Sequence, residues 1–198
     1  MTAIKLKDDD ELVSVSVYDN EVVIVTNNGY YLRYLTEEIP VVGPKASGVK
    51  GINLSGDYVV YGGCINENHE YLNLYTNNNT AKRIKLSDLK ILTRAKKGTM
   101  LIKKNKTVTY LIINAYLTTG RDTIIIKSDS EIKELKNSEI SIMDLASNGS
   151  SIGKGHIDKI DLKYITQKVI KKEEKVVEKE PVKEKQVSFE DFTKDFKL

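Results

Sequence analysis

The feature that most constrains the fold is an internal repeat with a period of about fifty residues. Residues 26–33 (TNNGYYLR) recur as residues 76–83 (TNNNTAKR), and a fainter third copy follows. A repeat of this length indicates that each copy forms one supersecondary unit that buries its apolar face against its neighbours. Glycines recur in register at Gly48, Gly98 and Gly149. Three copies therefore cover residues 12–60, 60–111 and 111–162.

Each copy contains four short runs rich in Val, Ile, Thr and Tyr, which are residue types favoured in strands. Asn, Asp, Ser and Gly separate the second run from the third, and Asn, Asp and Gly tolerate the positive φ of tight hairpins. The predicted strands are residues 12–17, 21–26, 30–35 and 51–54 in the first copy, 58–62, 71–76, 80–86 and 100–103 in the second, and 108–116, 123–127, 131–135 and 157–162 in the third.

Four antiparallel strands repeated at this spacing are typical of propeller blades. A β-sandwich is the alternative, but the constant offset favours blades because unrelated strands need not share a spacing. We therefore predict an all-β fold in which residues 1–166 form three propeller-like blades in a partial ring. Single helical turns are predicted at residues 36–39, 87–92 and 138–145.

The composition changes near residue 167, where Lys and Glu replace the apolar runs. Such a segment buries too little apolar surface to offset its ordering entropy, so residues 167–198 are predicted to be a mostly disordered tail. Phe189, Phe192 and Phe196 lie at helical spacing near its end. This pattern fits a docking peptide, and it fits equally well a frayed terminus or a helix that packs on its own domain.

The positive charge is concentrated in the second repeat. Residues 71–127 hold twelve Lys and Arg against two Asp and Glu, a net charge of +10 within a chain of net charge +3. A row of cations on a curved rim suits the phosphates of bent duplex DNA, whose contacts are salt-sensitive and independent of base sequence. A solvated surface is the alternative, although so large an excess is hard to explain by solubility alone.

Motifs for catalysis or cofactors are lacking in the sequence. Cys64 is the only cysteine, and His69 and His156 are isolated, so neither a disulfide nor a metal cluster is expected. The Gly-Lys-Gly at residues 153–155 lacks the spacing of a phosphate-binding loop. No apolar run is long enough for a membrane span, and the start lacks a signal peptide. We therefore expect a cytoplasmic, non-catalytic protein without cofactors.

Residues 23–33 (VIVTNNGYYLR) and 38–52 (EIPVVGPKASGVKGI) resemble a blade of the C-terminal domain of type IIA topoisomerase A subunits, which include those of gyrase and topoisomerase IV. The resemblance implies a β-pinwheel, a propeller variant in which neighbouring blades exchange strands. It also implies DNA binding and bending on a basic rim. Residues 44–51 (PKASGVKG) only partly match the heptapeptide box of gyrase, which favours the topoisomerase IV type and hence decatenation and relaxation.

The family domain usually has five or six blades, so the resemblance predicts that this chain is the C-terminal half of a longer polypeptide. The implied partners are double-stranded DNA, the ATPase B subunit and the catalytic core of the parent polypeptide. A protein-interaction propeller is the alternative function. The candidate DNA contacts carried over from the blade pattern are Arg33, Lys45, Lys50, Lys82, Arg83, Arg94, Lys96, Lys97 and Lys154. In the third repeat, Glu134 replaces the arginine of the earlier copies.

Overall fold

A computed structural model of the chain describes residues 6, 9–43, 46–128 and 131–163. Within these ranges the structure consists of β-strands and three 3₁₀ turns, as the all-β prediction requires. The strands are β1 (Glu21–Thr26), β2 (Tyr30–Leu35), β3 (Val59–Ile65), β4 (Tyr71–Thr76), β5 (Thr80–Lys85), β6 (Thr99–Met100), β7 (Ile112–Thr118), β8 (Thr123–Ser128), β9 (Ile132–Lys136), β10 (Ser150–Ser151) and β11 (Ile157–Leu162). The predicted tail, including its phenylalanines, lies outside the described residues.

The strands form three antiparallel sheets, and each sheet is built around one hairpin. Sheet 1 has the order β3-β1-β2-β6, sheet 2 the order β7-β4-β5-β10, and sheet 3 the order β11-β8-β9. The hairpins are the strand pairs that the polar turns predict. In the first two turns Gly29 and Asn79 adopt φ of +86° and +53°, as tight hairpin turns require.

The outer strands of sheets 1 and 2 differ from the prediction, because they come from the following repeat. β3 lies in the second repeat but pairs with β1, and β7 lies in the third repeat but pairs with β4. In the same way β6 crosses to β2, and β10 crosses to β5. The strands predicted at residues 58–62, 100–103 and 108–116 were therefore assigned to the wrong sheet. Residues 157–162, the fourth strand of the third copy, pair with β8 of their own copy as predicted. This exchange of strands agrees with the pinwheel that the family resemblance implies.

Two further strand predictions are wrong. Residues 12–17 and 51–54 form no strand in the structure. Residues 12–17 run beside β3, where Ser14 Oγ donates to Gly62 O and Ser16 Oγ accepts from Cys64 N. Side-chain hydroxyl bonds replace a backbone ladder there, so the alternating Val residues of this segment stay exposed.

Glycine allows the exchanged strands to approach their partners. Gly98 precedes β6 with φ of +85°, and a Cβ added there would lie 2.0 Å from Tyr31 O. Gly149 precedes β10 with φ of +87°, and a Cβ there would lie 2.7 Å from Ala81 O. A side chain at either site would push the short strand away from its sheet. The recurring glycine thus marks the crossover between repeats.

Apolar clusters join the sheets in series. The cluster between sheets 1 and 2 includes Val23, Val25, Leu72 and Leu74, with Leu89 from the loop after β5. The cluster between sheets 2 and 3 includes Tyr75, Ala81, Ile124, Ile126 and Ile160. The three 3₁₀ turns, Thr36–Glu38, Leu86–Asp88 and Asn137–Glu139, follow the hairpins. They begin at or near the predicted helical turns and are shorter than the predictions for residues 87–92 and 138–145.

Candidate nucleic-acid interface

Exposed lysines gather where the first repeat meets the second. Lys50 Nζ donates to Asn53 Oδ1 at 3.2 Å, and Asn53 N donates to Lys96 O at 2.9 Å, which places Lys50 and Lys96 next to each other. Lys97 follows directly, with its Nζ 4.7 Å from the centre of the Tyr30 ring. Together with two lysines of the next loop these residues form the junction band, defined as Lys50, Lys96, Lys97, Lys103 and Lys104.

A cleft of about 410 Å³ lies along one side of this band. Tyr30 and Lys97 line one part of it, and residues 103–105 and 108–111 line another. Asp57 also borders the cleft, but its Oδ1 accepts backbone N–H groups of Asn28 and Tyr58 at 3.0 and 2.8 Å. Three lysines therefore line the cleft together with one carboxylate, whose Oδ1 is hydrogen-bonded and whose buried Oδ2 has no hydrogen-bond partner among the described residues. The charged side chains that line the cleft sum to a positive charge.

The lysines of the junction band have no carboxylate partner among the described residues. An exposed cation without such a partner retains its charge for a phosphate and loses no ion pair when it binds one. Residues 71–127 therefore keep much of the positive charge seen in the sequence on their surface. The salt bridges of the described residues lie elsewhere and join Arg33 to Glu21, Lys127 and Lys159 to Asp161, Lys163 to Glu134, and His156 to Asp158.

Arg33 and Arg83 hold successive repeats together. Each points from the second strand of its hairpin to the 3₁₀ turn of the next repeat. Arg33 donates to the carbonyl oxygens of Leu86 and Leu89 and pairs with Glu21. Arg83 donates through Nε to Ile140 O at 2.6 Å, and its guanidinium lies 4.7 Å from the centre of the Tyr71 ring.

The two arginines thus act as latches between successive repeats. Arg83 is 8% exposed, and the Arg33 side chain is 13% exposed. Both guanidinium groups are thus largely enclosed within the protein, and as DNA contacts the two arginines stay predictions. In the third repeat the corresponding position holds Glu134, which bonds to Lys163 Nζ at 2.6 Å and cannot donate to a further repeat.

Lys82 is also a structural cation. Its side chain is 2% exposed, and Nζ lies 2.6–2.9 Å from the carbonyl oxygens of Leu101, Asp144, Leu145 and Ser147. Burial lowers the pKa of this ammonium from 10.5 to about 8, and the Asp144 carboxylate partly opposes the shift. As a DNA contact Lys82 stays a prediction, and its burial argues against that role, since a phosphate would have to displace the loops around it.

Arg94 is half-buried and joins the first two repeats. Its backbone N–H and its Nε donate to Glu38, at Oε2 and O, and its Nη1 donates to Lys50 O. Burial raises the pKa of the nearby Tyr34 phenol, and the positive charge of Arg94 partly opposes this. Arg94 therefore positions Lys50 in the junction band and is not a free cation.

The remaining predicted contacts fall in two places. Lys154 is exposed, but it borders a separate cleft beside Lys133 and Glu139 in the third repeat. Lys45 lies outside the described residues. The structure thus brings Lys50, Lys96 and Lys97 together and leaves Lys154 apart. As DNA contacts, these residues stay predictions.

Lys103 and Lys104 were missing from the candidate contacts, although they belong to the basic repeat. The blade pattern offers no match for them, because the loop between β6 and β7 is longer than its counterparts. The signal that could have found them is this difference in loop length together with the run of residues 103–106 (KKNK).

Comparison with known proteins decides the family. The model of the DNA gyrase C-terminal domain, a β-propeller, matches residues 1–19, 20–66 and 74–109, more than half of the chain. The chain belongs to this family. The third repeat lies beyond the match, as its weaker similarity to the other copies leads one to expect.

Members of the family with related sequences are topoisomerase subunits. The A subunit of DNA topoisomerase 4 from Bacillus subtilis is 32% identical over 153 residues, covering 76% of this chain and 19% of the relative. The corresponding protein of Streptococcus pneumoniae is 33% identical over 166 residues, covering 75% of this chain and 20% of the relative. The chain thus spans about a fifth of the length of these relatives.

Solved structures of the family share the fold. The crystal structure of the C-terminal domain of DNA topoisomerase IV matches with a TM-score of 0.75 and 34% identity, over 81% of this chain and 52% of that one. The C-terminal domain of DNA gyrase A matches with a TM-score of 0.67 and 21% identity, over 81% and 55%. The chain therefore has the β-pinwheel fold of a topoisomerase C-terminal domain and spans about half the length of these solved domains.

The described residues contain neither a metal site nor a membrane-spanning helix. No group of three or more His, Cys, Asp or Glu side chains is placed to hold a metal ion in this part of the chain. None of the helices among the described residues is long and apolar enough to cross a membrane.

Proposed function

We propose that the chain binds double-stranded DNA through its phosphate backbone and bends it, as the accessory C-terminal domain of a topoisomerase IV A subunit. The supporting observation is the junction band, whose lysines are exposed and have no carboxylate partner in the part of the chain that the structure describes, while the neighbouring arginines bond to carbonyl oxygens of the next repeat. In this role the domain presents a DNA segment to the catalytic core of the parent polypeptide, which works with the ATPase B subunit in decatenation and relaxation. The site of action is the nucleoid in the cytoplasm.

Backbone recognition fits the geometry better than base readout. The described residues offer no α-helix that could enter a major groove. The lysines instead stand on loops at the junction of two sheets, where each contributes a mobile point charge. Contacts of this kind are sequence-independent and offset the cost of bending the duplex.

A salt titration of duplex binding tests the proposal. If the five lysines of the junction band each neutralise one phosphate, the logarithm of the association constant falls with the logarithm of salt concentration with a slope of about −4.5. Fluorescence transfer between dyes on the two duplex ends measures bending in the same samples. A flat salt dependence, or equal affinity for duplexes of every length with no change in end-to-end distance, would contradict the proposal.

Protein binding is a second candidate, favoured by the exposed apolar side chains of residues 12–18. Val15, Val17 and Tyr18 are 83%, 89% and 75% exposed, and such a patch is typical of contact surfaces. Replacing Val15 and Val17 with serine would weaken binding to a protein partner and leave DNA affinity unchanged. Pull-down with the separately purified catalytic core measures the first effect.

A further inference from the structure

The second repeat carries a basic loop that its neighbours lack. Between the crossover glycine and the next long strand, the second repeat has residues 99–111, the first has residues 49–58 and the third has residues 150–156. The additional length brings in Lys103, Lys104 and Lys106, all of which are exposed. The loop of the second repeat is thus both longer and more positively charged than the corresponding loops of the other two repeats.

This loop is held at both ends by asparagine side chains. Lys103 N donates to Asn148 Oδ1 at 2.7 Å at its start. Near its end, Leu111 N donates to Asn77 Oδ1 at 2.8 Å, and Asn78 Nδ2 donates to Thr109 O at 2.9 Å. Its backbone is anchored at both ends, which lowers the ordering cost of binding.

Another part of the cleft lining is held in place by an aromatic contact. The ring of Tyr30 holds the Lys97 ammonium by a cation–π contact. Tyr30 stands on β2 next to the turn, so its position is set by the hairpin. Tyr30 and the Lys97 side chain held on its ring therefore line the same cleft of about 410 Å³ as Lys103 and Lys104 of the loop.

We propose that this cleft binds one sugar–phosphate strand of duplex DNA, with a phosphate between Lys97 on one side and Lys103 and Lys104 on the other. The inference rests on the proposed function and assigns its main contact to the junction of the first two repeats. Anionic oxygens suit three ammonium groups that have no carboxylate partner among the described residues. The third repeat lacks the longer loop, so Lys154 contributes little to affinity.

The test compares two double variants of equal charge. Lys103→Ala/Lys104→Ala removes two cations from the cleft. Lys85→Ala/Lys90→Ala removes two exposed cations of the same repeat, at and beyond the end of β5 farthest from the turn that holds the loop. Duplex affinity is measured by gel shift over a range of salt concentrations, and circular dichroism checks that each variant is folded.

The cleft variant is expected to make the salt slope less negative by about 1.8, and the control to leave it unchanged. Amine-reactive footprinting of the wild-type complex is expected to protect Lys97, Lys103 and Lys104 but not Lys85 or Lys90. Equal losses in both variants, or protection of both sets of lysines alike, would overturn the cleft as the main contact while leaving DNA binding intact. Absence of duplex binding by the wild-type protein would instead overturn the proposed function itself.

Discussion

Replacing Arg83 with methionine separates a structural role from a DNA contact, because methionine keeps much of the apolar stem and removes the guanidinium. The change deletes the hydrogen bond to Ile140 O at 2.6 Å and the cation–π contact with Tyr71. A hydrogen bond from a charged group contributes about 1.5–3 kcal/mol, and a desolvated cation–π contact about 1–2 kcal/mol. The longer contact to Ser138 O, at 3.4 Å, adds little.

The expected loss is about 3 kcal/mol of unfolding free energy. For a protein of this size, 1 kcal/mol lowers Tm by about 3 °C, so Arg83→Met lowers Tm by about 9 °C. Thermal unfolding followed by circular dichroism measures the change, and urea unfolding gives an independent free energy. Arg121→Met is the matched control, since Arg121 is an exposed arginine of the same basic region. Its effect should stay within about 0.5 kcal/mol.

DNA binding of the folded Arg83→Met protein provides the second readout. A latch between repeats predicts unchanged duplex affinity at temperatures well below the new Tm. A fall in affinity as large as that of the cleft variant, with Tm hardly changed, would refute the latch and restore Arg83 as a DNA contact.

Two further predictions concern the fold. The pKa of Lys82 is about 8 in the folded protein and 10.5 ordinarily, so between these values the unfolded chain binds more protons than the folded one. The free energy of unfolding of the wild type, relative to that of Lys82→Met, should therefore rise by about 3 kcal/mol from pH 8 to pH 10.5 and stay level below pH 8. Urea unfolding across this range measures the difference, and parallel pH curves for the two proteins would contradict it. Gly98→Ala should cost more than about 2 kcal/mol, since its Cβ would meet Tyr31 O at 2.0 Å, whereas Gly153→Ala has open space and should be nearly neutral in the same assay.

The sequence predicts the hairpins well, because residues close together in the sequence specify them. Alternating apolar residues and Asn or Gly turns specify β1–β2 and β4–β5 without reference to the rest of the chain. Partnership between strands of different repeats is not local. The pattern of apolar residues in 59–65 is the same whether this strand pairs within its own repeat or with β1, so the pattern cannot distinguish the two pairings. The exchange was therefore supplied by family resemblance and not by periodicity.

The candidate interface was only partly predictable, for a related reason. A cation count cannot distinguish Lys97, which is exposed, from Lys82, whose ammonium is enclosed by four carbonyl oxygens. Burial of a charge depends on which loops fold over it, and most of those around Lys82 belong to another repeat. The blade pattern selected positions that recur, and the recurring arginine serves the contact between repeats.

Strand exchange sets the place at which the domain can be divided. A chain cut after residue 111 keeps two complete sequence repeats but loses β7 and β10, so β4 and β5 would have both edges bare. Open edges of this kind invite pairing with other chains. A repeat that is added or removed, by evolution or by engineering, must therefore be cut at a point other than the boundary of the sequence repeat. The cut must leave the hairpins of sheets 1 and 2 with the flanking strands that they take from the following repeat.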